Sequence, residues 1–219
     1  MASVTLLPDK TYAVGKIICV GINYIDHMKE MGNEKPEKPV LFLKPPTAIL
    51  NEGKMIKLPT FSTEVHHEIE LALLVGKTGC RIKREAWHNY IAGAGIAIDL
   101  TLRDIQREVR KKGLPWSVCK GFDGACPISS FKPVDTITDI QELTLTLKVN
   151  NEIRQNGNTA EMIFPIDHLI EYISSIFTLE IGDVIITGTP AGVSPLKPGD
   201  QITAAISGIG VMNFNVDKN

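Results

Sequence analysis

The chain has 219 residues, of which 43% are hydrophobic and 22% are charged, and this balance is typical of a globular protein rather than a disordered one. Its 23 Lys and Arg residues against 25 Asp and Glu residues give a formal net charge of −2, which argues against a general affinity for nucleic acid or for an anionic membrane. No apolar run reaches the roughly 18 residues of a membrane-spanning helix, so the sequence predicts a soluble protein.

The first predicted elements are two short buried strands joined by a polar segment. Residues 17–21 and 40–44 are apolar runs of strand length. The intervening residues 23–39 are polar, and residues 24–31 within them could form a short helix. A polar segment between two core strands is a candidate lid over a binding site.

The next predicted elements include the most apolar strand of the chain. Residues 68–75 begin with acidic and apolar residues in alternation and then become wholly apolar, which predicts a strand that runs from a site into the core. A helix is predicted over residues 84–92. The apolar, glycine-containing residues 93–100 lead to Asp99, and an apolar stripe at helical spacing predicts a second helix over residues 101–112.

The second half of the chain starts with the clearest half-buried strand. Apolar and polar residues alternate over residues 143–149, and the pair at 150–151 predicts a tight turn into a following strand. Apolar residues at helical spacing then predict a helix within residues 160–177, although Pro165 interrupts its start. The C-terminal residues return to short strands.

The order of these elements predicts the fold class. Strands outnumber helices and do not alternate regularly with them, which favours an α+β fold with a β-rich mixed sheet over a doubly wound one. No linker divides the chain, so we expect one domain over residues 1–219. The four cysteines are far apart and show no zinc or disulfide spacing. Residues 1–16 carry neither a secretory signal nor a clear presequence, so we expect reduced thiols in an intracellular compartment.

The acidic residues at the start of strand 68–75 are the strongest indication of chemistry. Side chains two apart on a strand share a face, so Glu68 and Glu70 project together, with Cα atoms about 7 Å apart. Two carboxylates on one buried face repel each other unless a proton or a cation lies between them. Asp99 offers a third carboxylate at a strand end, and three hard oxygen ligands suit Mg²⁺ or Mn²⁺.

The same acidic residues could instead have structural roles or bind a different metal. Glu68 and Glu70 could form a solvated strand face that pairs with Lys or Arg, and Asp99 could cap the helix that follows it. His66 shares the face of the two glutamates, which makes a zinc site an alternative. Zinc ranks below magnesium because the adjacent His67 points to the opposite face and cannot easily bind the same ion.

Three further residues could take part in proton transfer or in charge stabilisation. His27 and Glu30 are three apart in the predicted lid helix, so the carboxylate could orient the imidazole as a general base. An ordinary exposed His–Glu pair is the alternative. Lys120 follows an apolar segment and could stabilise an oxyanion, or it could be a surface lysine with an apolar stem.

Other polar groups could contact a substrate. Arg103, Arg107 and Arg110 form a basic stripe on the second predicted helix. This stripe could meet an acidic substrate or, because acidic residues intervene, could face solvent. Thr189 follows a predicted strand and could hold a carboxylate together with backbone N–H groups, or it could belong to a structural turn.

Six motifs in a fixed order make the chain resemble the fumarylacetoacetate hydrolase superfamily. They are G-x-N-Y-x-x-H-x-x-E-M at 21–31, V-L-F-L-K-P at 40–45, H-H-E-x-E at 66–70, D-L-T-x-R-D-x-Q at 99–106, G-L-P-W at 113–116 and G-D-V-I-x-T-G-T-P at 182–190. The resemblance covers nearly the whole chain. It is strongest to the short, single-domain members of mitochondria that act as acylpyruvases and oxaloacetate decarboxylases.

The resemblance implies a β-roll-like fold with a short helical lid at about 23–39, a homodimer, and Mg²⁺ or Mn²⁺ held by three carboxylates. The implied metal ligands are Glu68, Glu70 and Asp99. The implied catalytic residues are the lid dyad His27 and Glu30, and Lys120. The implied substrate contacts are Arg103, Gln106 and Thr189.

The activity implied by the resemblance is the metal-dependent hydrolysis of a carbon–carbon bond in acylpyruvates, which yields pyruvate and a carboxylic acid, together with decarboxylation of oxaloacetate. The alternatives are an oxo-acid isomerase or keto–enol tautomerase with the same metal and, after it, a non-catalytic metabolite-binding protein. The expected partners are small 2-oxo and 2,4-dioxo acids, and neither nucleic acid nor a membrane. The resemblance implies a mitochondrial location, with the cytosol as the alternative.

Overall fold

The computed structural model describes residues 2–32 and 34–218. Residue 33, which belongs to the predicted lid, and the two terminal residues of the predicted domain lie outside the described residues. The described strands are β1 (Ser3–Leu6), β2 (Lys10–Ala13), β3 (Ile17–Val20), β4 (Leu41–Lys44), β5 (Ile49–Asn51), β6 (Ile56–Leu58), β7 (Val65–His67), β8 (Ile69–Val75), β9 (Ile91–Ile98), β10 (Thr101–Leu102), β11 (Cys126–Ile128), β12 (Lys132–Pro133), β13 (Thr144–Val149), β14 (Glu152–Asn158), β15 (Val184–Ile186), β16 (Ser194–Pro195), β17 (Gln201–Ile206) and β18 (Gly210–Lys218).

The helical elements are short. The described α-helices are α1 (Ile25–Glu30), α2 (Arg103–Lys111), α3 (Ser117–Lys120) and α4 (Ile166–Ile176). Single 3₁₀ segments occupy Pro46–Ala48, Arg84–Asn89, Val134–Thr136 and Thr159–Glu161. Among the described residues, no helix has the length and apolar character required to cross a bilayer.

A mixed sheet with the strand order β4-β3-β15-β8-β9-β11-β5 runs through the middle of the fold, and β12 joins it beside β9. The strand β15 lies parallel to β3 and antiparallel to β8, and β8 lies antiparallel to β9. A second sheet, of order β14-β13-β17-β18-β6, contacts one face of the first at β8 and β9. This confirms the predicted β-rich α+β fold.

The strand β8 is buried along its whole length. Its side chains point alternately to the two faces of the sheet, and each face packs against an apolar cluster. Leu71 and Leu73 face the second sheet and join one apolar cluster, while Ala72 and Leu74 face the other side and join a second cluster. Glu70 has the same parity as Ala72 and Leu74, so its carboxylate lies on that second side. The strand is apolar on both faces because both faces are covered.

The pairing of β8 with β9 brings the predicted metal ligands together. Glu70 lies opposite Ala97 in the antiparallel register, and the backbone N–H of Asp99 donates to the carbonyl oxygen of Glu68 at 2.8 Å. The start of β8 therefore supplies Glu70, the residue just before it supplies Glu68, and the residue just after β9 supplies Asp99.

Several element boundaries differ from the sequence-based expectation for local reasons. The strand expected over 68–75 begins at Ile69, because Glu68 lies between β8 and the preceding strand β7, which pairs in a small separate sheet. The helix expected from residue 101 begins at Arg103 because Thr101 and Leu102 pair with β7 first. The helix expected over 84–92 is a 3₁₀ segment that ends at Asn89, since the next residues pair with β8.

The start of the predicted C-terminal helix also differs. Residues 160–165 do not belong to α4, which starts at Ile166. Pro165 occupies the N-cap position, where its missing N–H costs no hydrogen bond. The predicted turn at 150–151 is confirmed, because Asn150 and Asn151 both have a positive φ, of 51° and 68°, between β13 and β14.

Candidate functional site

Three buried carboxylates form the centre of the candidate site. Glu68, Glu70 and Asp99 each offer a ligand oxygen, and these oxygens all lie within 4.8 Å of one another. Each residue is less than 5% exposed, so bulk water does not dilute their mutual repulsion. The cluster predicted from strand geometry and from the resemblance is therefore brought together by the fold.

Two cations neutralise the Glu68 side of this cluster. Lys120 Nζ donates to Glu68 Oε2 at 2.8 Å, to Asp99 Oδ2 at 2.6 Å and to the Thr101 hydroxyl at 2.6 Å, and Arg103 donates to Glu68 Oε1. Burial by itself would raise the pKa of Glu68, but Lys120 and Arg103 together hold that pKa well below its usual range. Lys120 is thus a buried site residue rather than a surface lysine.

Glu70 and Asp99 are less completely satisfied. Burial raises the pKa of Glu70 well above its ordinary value, and the charges of Asp99 and Glu68 raise it further, although the backbone N–H of Gly188 donates to its Oε2 at 2.6 Å. Asp99 Oδ1 accepts no hydrogen bond from the residues that the structure describes. Lys44 Nζ lies 2.8 Å from this oxygen, close enough for an ion pair but outside hydrogen-bond geometry. A hard divalent cation fits this set of oxygen donors.

The predicted lid dyad forms in the first helix. Glu30 Oε2 lies 2.9 Å from His27 Nδ1, and Glu30 Oε1 accepts a hydrogen bond of 3.1 Å from the backbone N–H of Gly192. With the carboxylate ionised, Nδ1 carries the proton and Nε2 is left as the acceptor. The His27 side chain is buried, so the pair is not an ordinary exposed ion pair.

A cavity of about 230 Å³ lies between His27 of the dyad and Glu68 of the carboxylate cluster. Its lining residues are Gly21, Ile22, His27, Met31, Val40, Glu68, Arg103, Gln106, Arg110, Trp116 and Lys120. Five of the predicted site residues thus line one small space. A larger cavity of about 1030 Å³ elsewhere in the structure is lined by none of them, so cavity size alone does not locate the chemistry.

Thr189 does not line this cavity. Its hydroxyl donates to the carbonyl oxygen of Ile69 at 2.7 Å and accepts a hydrogen bond of 2.8 Å from Gln155 Nε2. These contacts fasten the turn after β15 to the start of β8. The predicted contact between Thr189 and a substrate stays a prediction.

The histidines beside Glu68 have other partners. His66 Nε2 lies 2.8 Å from Glu64 Oε1, and the two ring nitrogens of His67 lie within 2.9 Å of Gln155 Oε1 and Ser194 Oγ. In the described part of the chain, the metal-binding cluster at this position consists of carboxylates alone. The alternative of a zinc site with a His66 ligand therefore finds no support.

Comparison with known proteins places these observations in a family. The family model for the C-terminal domain of fumarylacetoacetate (FAA) hydrolase matches residues 16–217. The chain belongs to this family. The predicted superfamily membership is thus confirmed, and the match includes every residue of the candidate site.

The named relatives of the chain are oxaloacetate tautomerases and a fumarylpyruvate hydrolase. The mitochondrial oxaloacetate tautomerase FAHD1 of Mus musculus is 49% identical over 203 residues, which are 93% of this chain and 92% of that protein. Oxaloacetate tautomerase YcgM of Escherichia coli is 50% identical over 198 residues, which are 90% of each chain. Fumarylpyruvate hydrolase of Pseudomonas aeruginosa, solved in complex with Mn²⁺ and pyruvate, is 33% identical with a TM-score of 0.94, over 99% of this chain and 96% of that one.

Sequence reasoning overlooked one residue that the family fold buries beside the carboxylates. Lys44 is 1% exposed, and its ammonium group donates to the carbonyl oxygens of Lys120 and Ala125. The only sequence signal for this role is a lysine at the end of an apolar strand. A lysine there is more often an exposed strand end, so its partners could not be inferred without the fold.

Proposed function

We propose that this chain is a divalent-metal-dependent enzyme of small 2-oxo acids, and that it interconverts the keto and enol forms of oxaloacetate. The observation that carries the proposal is the small cavity that His27 lines together with Lys120 and Glu68, one of the three clustered carboxylates. Two relatives support the choice of oxaloacetate and of tautomerisation, because both are named oxaloacetate tautomerases. They share about half of their residues with this chain over at least nine-tenths of its length. We therefore prefer tautomerisation, which the sequence motifs suggested as the alternative activity, to hydrolysis and decarboxylation.

The carboxylates Glu68, Glu70 and Asp99 would hold Mg²⁺ or Mn²⁺, which supplies Lewis-acid stabilisation of a developing enolate when it is bound. Burial by itself would lower the pKa of Lys120, but Asp99 and Glu68 raise that pKa above its usual range. The ammonium group therefore stays charged and can stabilise an oxyanion. Arg103 is already hydrogen-bonded to Gln106, so both side chains are preorganised for a substrate carboxylate.

His27 is the proton carrier in this proposal. Its free Nε2 removes a proton from carbon 3 of the keto acid, and the negative charge moves to the oxygen on carbon 2, beside Lys120. The imidazolium then returns the proton to that oxygen, which yields the enol without net gain or loss of atoms. Glu30 acts through His27, since its carboxylate fixes the ring and stabilises the imidazolium.

A second candidate function is the hydrolysis of acylpyruvates, together with decarboxylation of oxaloacetate. The same His27 Nε2 could remove a proton from a water molecule that attacks the distal carbonyl carbon. The solved fumarylpyruvate hydrolase, whose fold matches this one almost throughout, favours retaining this candidate. Decarboxylation needs only a stabilised enolate, so it depends less on the dyad.

An assay of metal-stripped and reconstituted protein tests the proposal. We expect no activity after chelation, and recovery with Mg²⁺ or Mn²⁺ of enol–keto exchange of oxaloacetate, followed by its absorbance. His27→Ala should slow this exchange by roughly 100-fold or more because it removes the general base. His88→Ala, on an exposed histidine, is the matched control and should change little.

Product analysis separates the two candidates. If the protein releases pyruvate from acetylpyruvate faster than it exchanges the enol and keto forms of oxaloacetate, its main activity is hydrolysis. In that case His27→Ala should reduce hydrolysis much more than decarboxylation. Absence of all three reactions in the metal-loaded protein would contradict both candidates and leave a non-catalytic protein.

We also propose, on the basis of the family resemblance, one catalytic domain over residues 1–219, a lid at about 23–39 and a homodimer. For the location we propose mitochondria, the compartment of the mouse relative, with the cytosol as the alternative that the bacterial relative supports. Size-exclusion chromatography with light scattering tests the dimer.

A further inference from the structure

The cavity beside the carboxylates has a buried end and an exposed end. Glu68, Arg103, Gln106 and Lys120 line it and are each at most 5% exposed. Arg110 lines the same cavity but is an exposed residue. The space therefore runs from the metal-binding carboxylates towards the surface, and Arg110 lies at its mouth.

One face of helix α2 contributes lining residues to both ends of the cavity. Arg103, Gln106 and Arg110 are three and four residues apart, which places them on one face of an α-helix. Seven residues correspond to a rise of about 10.5 Å along the axis. Gln106 lies between the two arginines on this face, about one helical turn from each.

The mouth combines this guanidinium with apolar side chains. Met31, Val40 and Trp116 line the cavity and are only partly buried. Arg103 and Lys120, the other two lining cations, are hydrogen-bonded to the carboxylate cluster at the buried end. A ligand that reaches from the cluster to the mouth thus meets a short apolar passage and then a positive charge.

We propose that Arg110 binds the distal carboxylate of a dicarboxylic 2-oxo acid and so determines a preference for dicarboxylic substrates over substrates with a neutral tail. This inference rests on the proposed function, because the buried end must receive the first carboxylate and the 2-oxo group. Guanidinium suits this task, since it stays charged and offers paired donors to a carboxylate. Arg110 is a specificity-determining residue in this account and takes no part in the proton transfers.

Substitution of Arg110 with a side chain of similar length but no charge tests the proposal. In Arg110→Met, we expect kcat/KM for oxaloacetate to fall by roughly tenfold, the typical effect of losing one charge-assisted contact. The value for acetylpyruvate, which has a neutral tail, should stay within about twofold or rise. Lys111→Met removes the same charge from an exposed position of α2 that does not line the cavity, and it should leave both values nearly unchanged.

Ligand binding gives a readout that does not depend on turnover. In Mn²⁺-loaded protein, calorimetry should show an unchanged affinity of Arg110→Met for oxalate, which has no distal group, and a roughly tenfold weaker affinity for malate. Equal losses for oxalate and malate, or a malate affinity equal to that of Lys111→Met, would overturn the proposal. If wild-type protein converts no 2-oxo acid, the proposed function fails, while the comparison of malate with oxalate still decides whether Arg110 binds a distal carboxylate.

Discussion

At the residue scale, the candidate site depends on a second buried ammonium group behind the carboxylates. The Nζ atom of Lys44 is surrounded by two backbone carbonyl oxygens and Asp99 Oδ1. A buried charge is tolerated only where such partners are provided. Lys44 thus links the end of α3, which carries Lys120, to the end of β9, which Asp99 follows.

Replacement of this lysine should therefore destabilise the protein. Lys44→Met keeps most of the side-chain volume but leaves the two carbonyl groups and one face of Asp99 without their cation. We expect the free energy of unfolding to fall by about 3 kcal/mol, the lower part of the range for breaking a buried ion pair. Urea unfolding measures this loss, and Lys54→Met, at an exposed position, is the control. A loss of less than about 1 kcal/mol would show that the Lys44 contacts contribute little net stability.

The contrast between Lys44 and the glutamates shows which residues a sequence can predict. Glu68 and Glu70 are two positions apart at the start of a predicted strand, and the strand period predicts that their carboxylates lie together, although Glu68 itself falls just before β8. Asp99 follows an apolar run and is expected at a strand end. The partners of Lys44 lie 55 to 81 positions away in the chain, and no local period relates such distant residues.

At the element scale, the lid helix α1 depends on an anchor immediately before it. Six residues are too few for a stable isolated helix. Asn23 is fully buried, and its side-chain amide donates to the carbonyl oxygens of Phe164 and Thr187 at 3.1 and 2.8 Å and accepts from the N–H of Phe164 at 2.8 Å. The start of the lid is thereby attached to the segment before α4 and to the end of β15.

Loss of this anchor should lower the stability of the fold and should also displace the lid helix. Asn23→Ala leaves three buried backbone groups without partners, and we expect the free energy of unfolding to fall by roughly 2–4 kcal/mol. Chemical denaturation measures the change. Asn156→Ala, on an exposed asparagine, should cost less than about 0.5 kcal/mol. Equal effects of the two substitutions would mean that Asn23 does not anchor the lid.

The boundaries of the elements were less predictable than their existence. The helical stripe before Gly113 correctly indicates α2, but Thr101 and Leu102 have the strand partner β7, which is separated from them by some 35 positions. The apolar spacing over 84–92 does not distinguish a helix from a strand, because the residues from Ile91 onwards are compatible with both and form β9 in the structure. In both cases tertiary pairing overrides a local preference.

At the scale of the whole molecule, the site is held by segments from most of the chain. The lid dyad comes from α1, the carboxylates come from the start of β8, the residue before it and the residue after β9, and Lys120 comes from α3. The turn after β15 adds the N–H groups of Gly188 and Gly192, which donate to Glu70 and Glu30. Only the packed sheet brings these segments together, so a ligand bound among them should stabilise the fold as a unit.

Metal binding should therefore raise the thermal stability of the entire chain. A ligand that binds only the folded state at about 100 times its dissociation constant adds about 2.7 kcal/mol, which for a chain of this size corresponds to a rise in Tm of roughly 5–10 °C. Differential scanning calorimetry of chelator-treated protein, with and without Mn²⁺, measures the rise. A Tm that does not respond to Mn²⁺ would contradict metal binding at the three carboxylates.

Glu70→Gln distinguishes binding at this cluster from binding elsewhere. The raised pKa of Glu70 means that the metal-free site favours its protonated carboxyl, which glutamine resembles in shape and in lack of charge. We therefore expect the Tm of the metal-free variant to equal or exceed that of the wild type, and the rise with Mn²⁺ to disappear. Glu85→Gln, at an exposed position, should keep the full rise. If Glu70→Gln also keeps it, the ion binds without Glu70, and protons and the neighbouring cations Lys44, Arg103 and Lys120 relieve the repulsion among the three buried carboxylates.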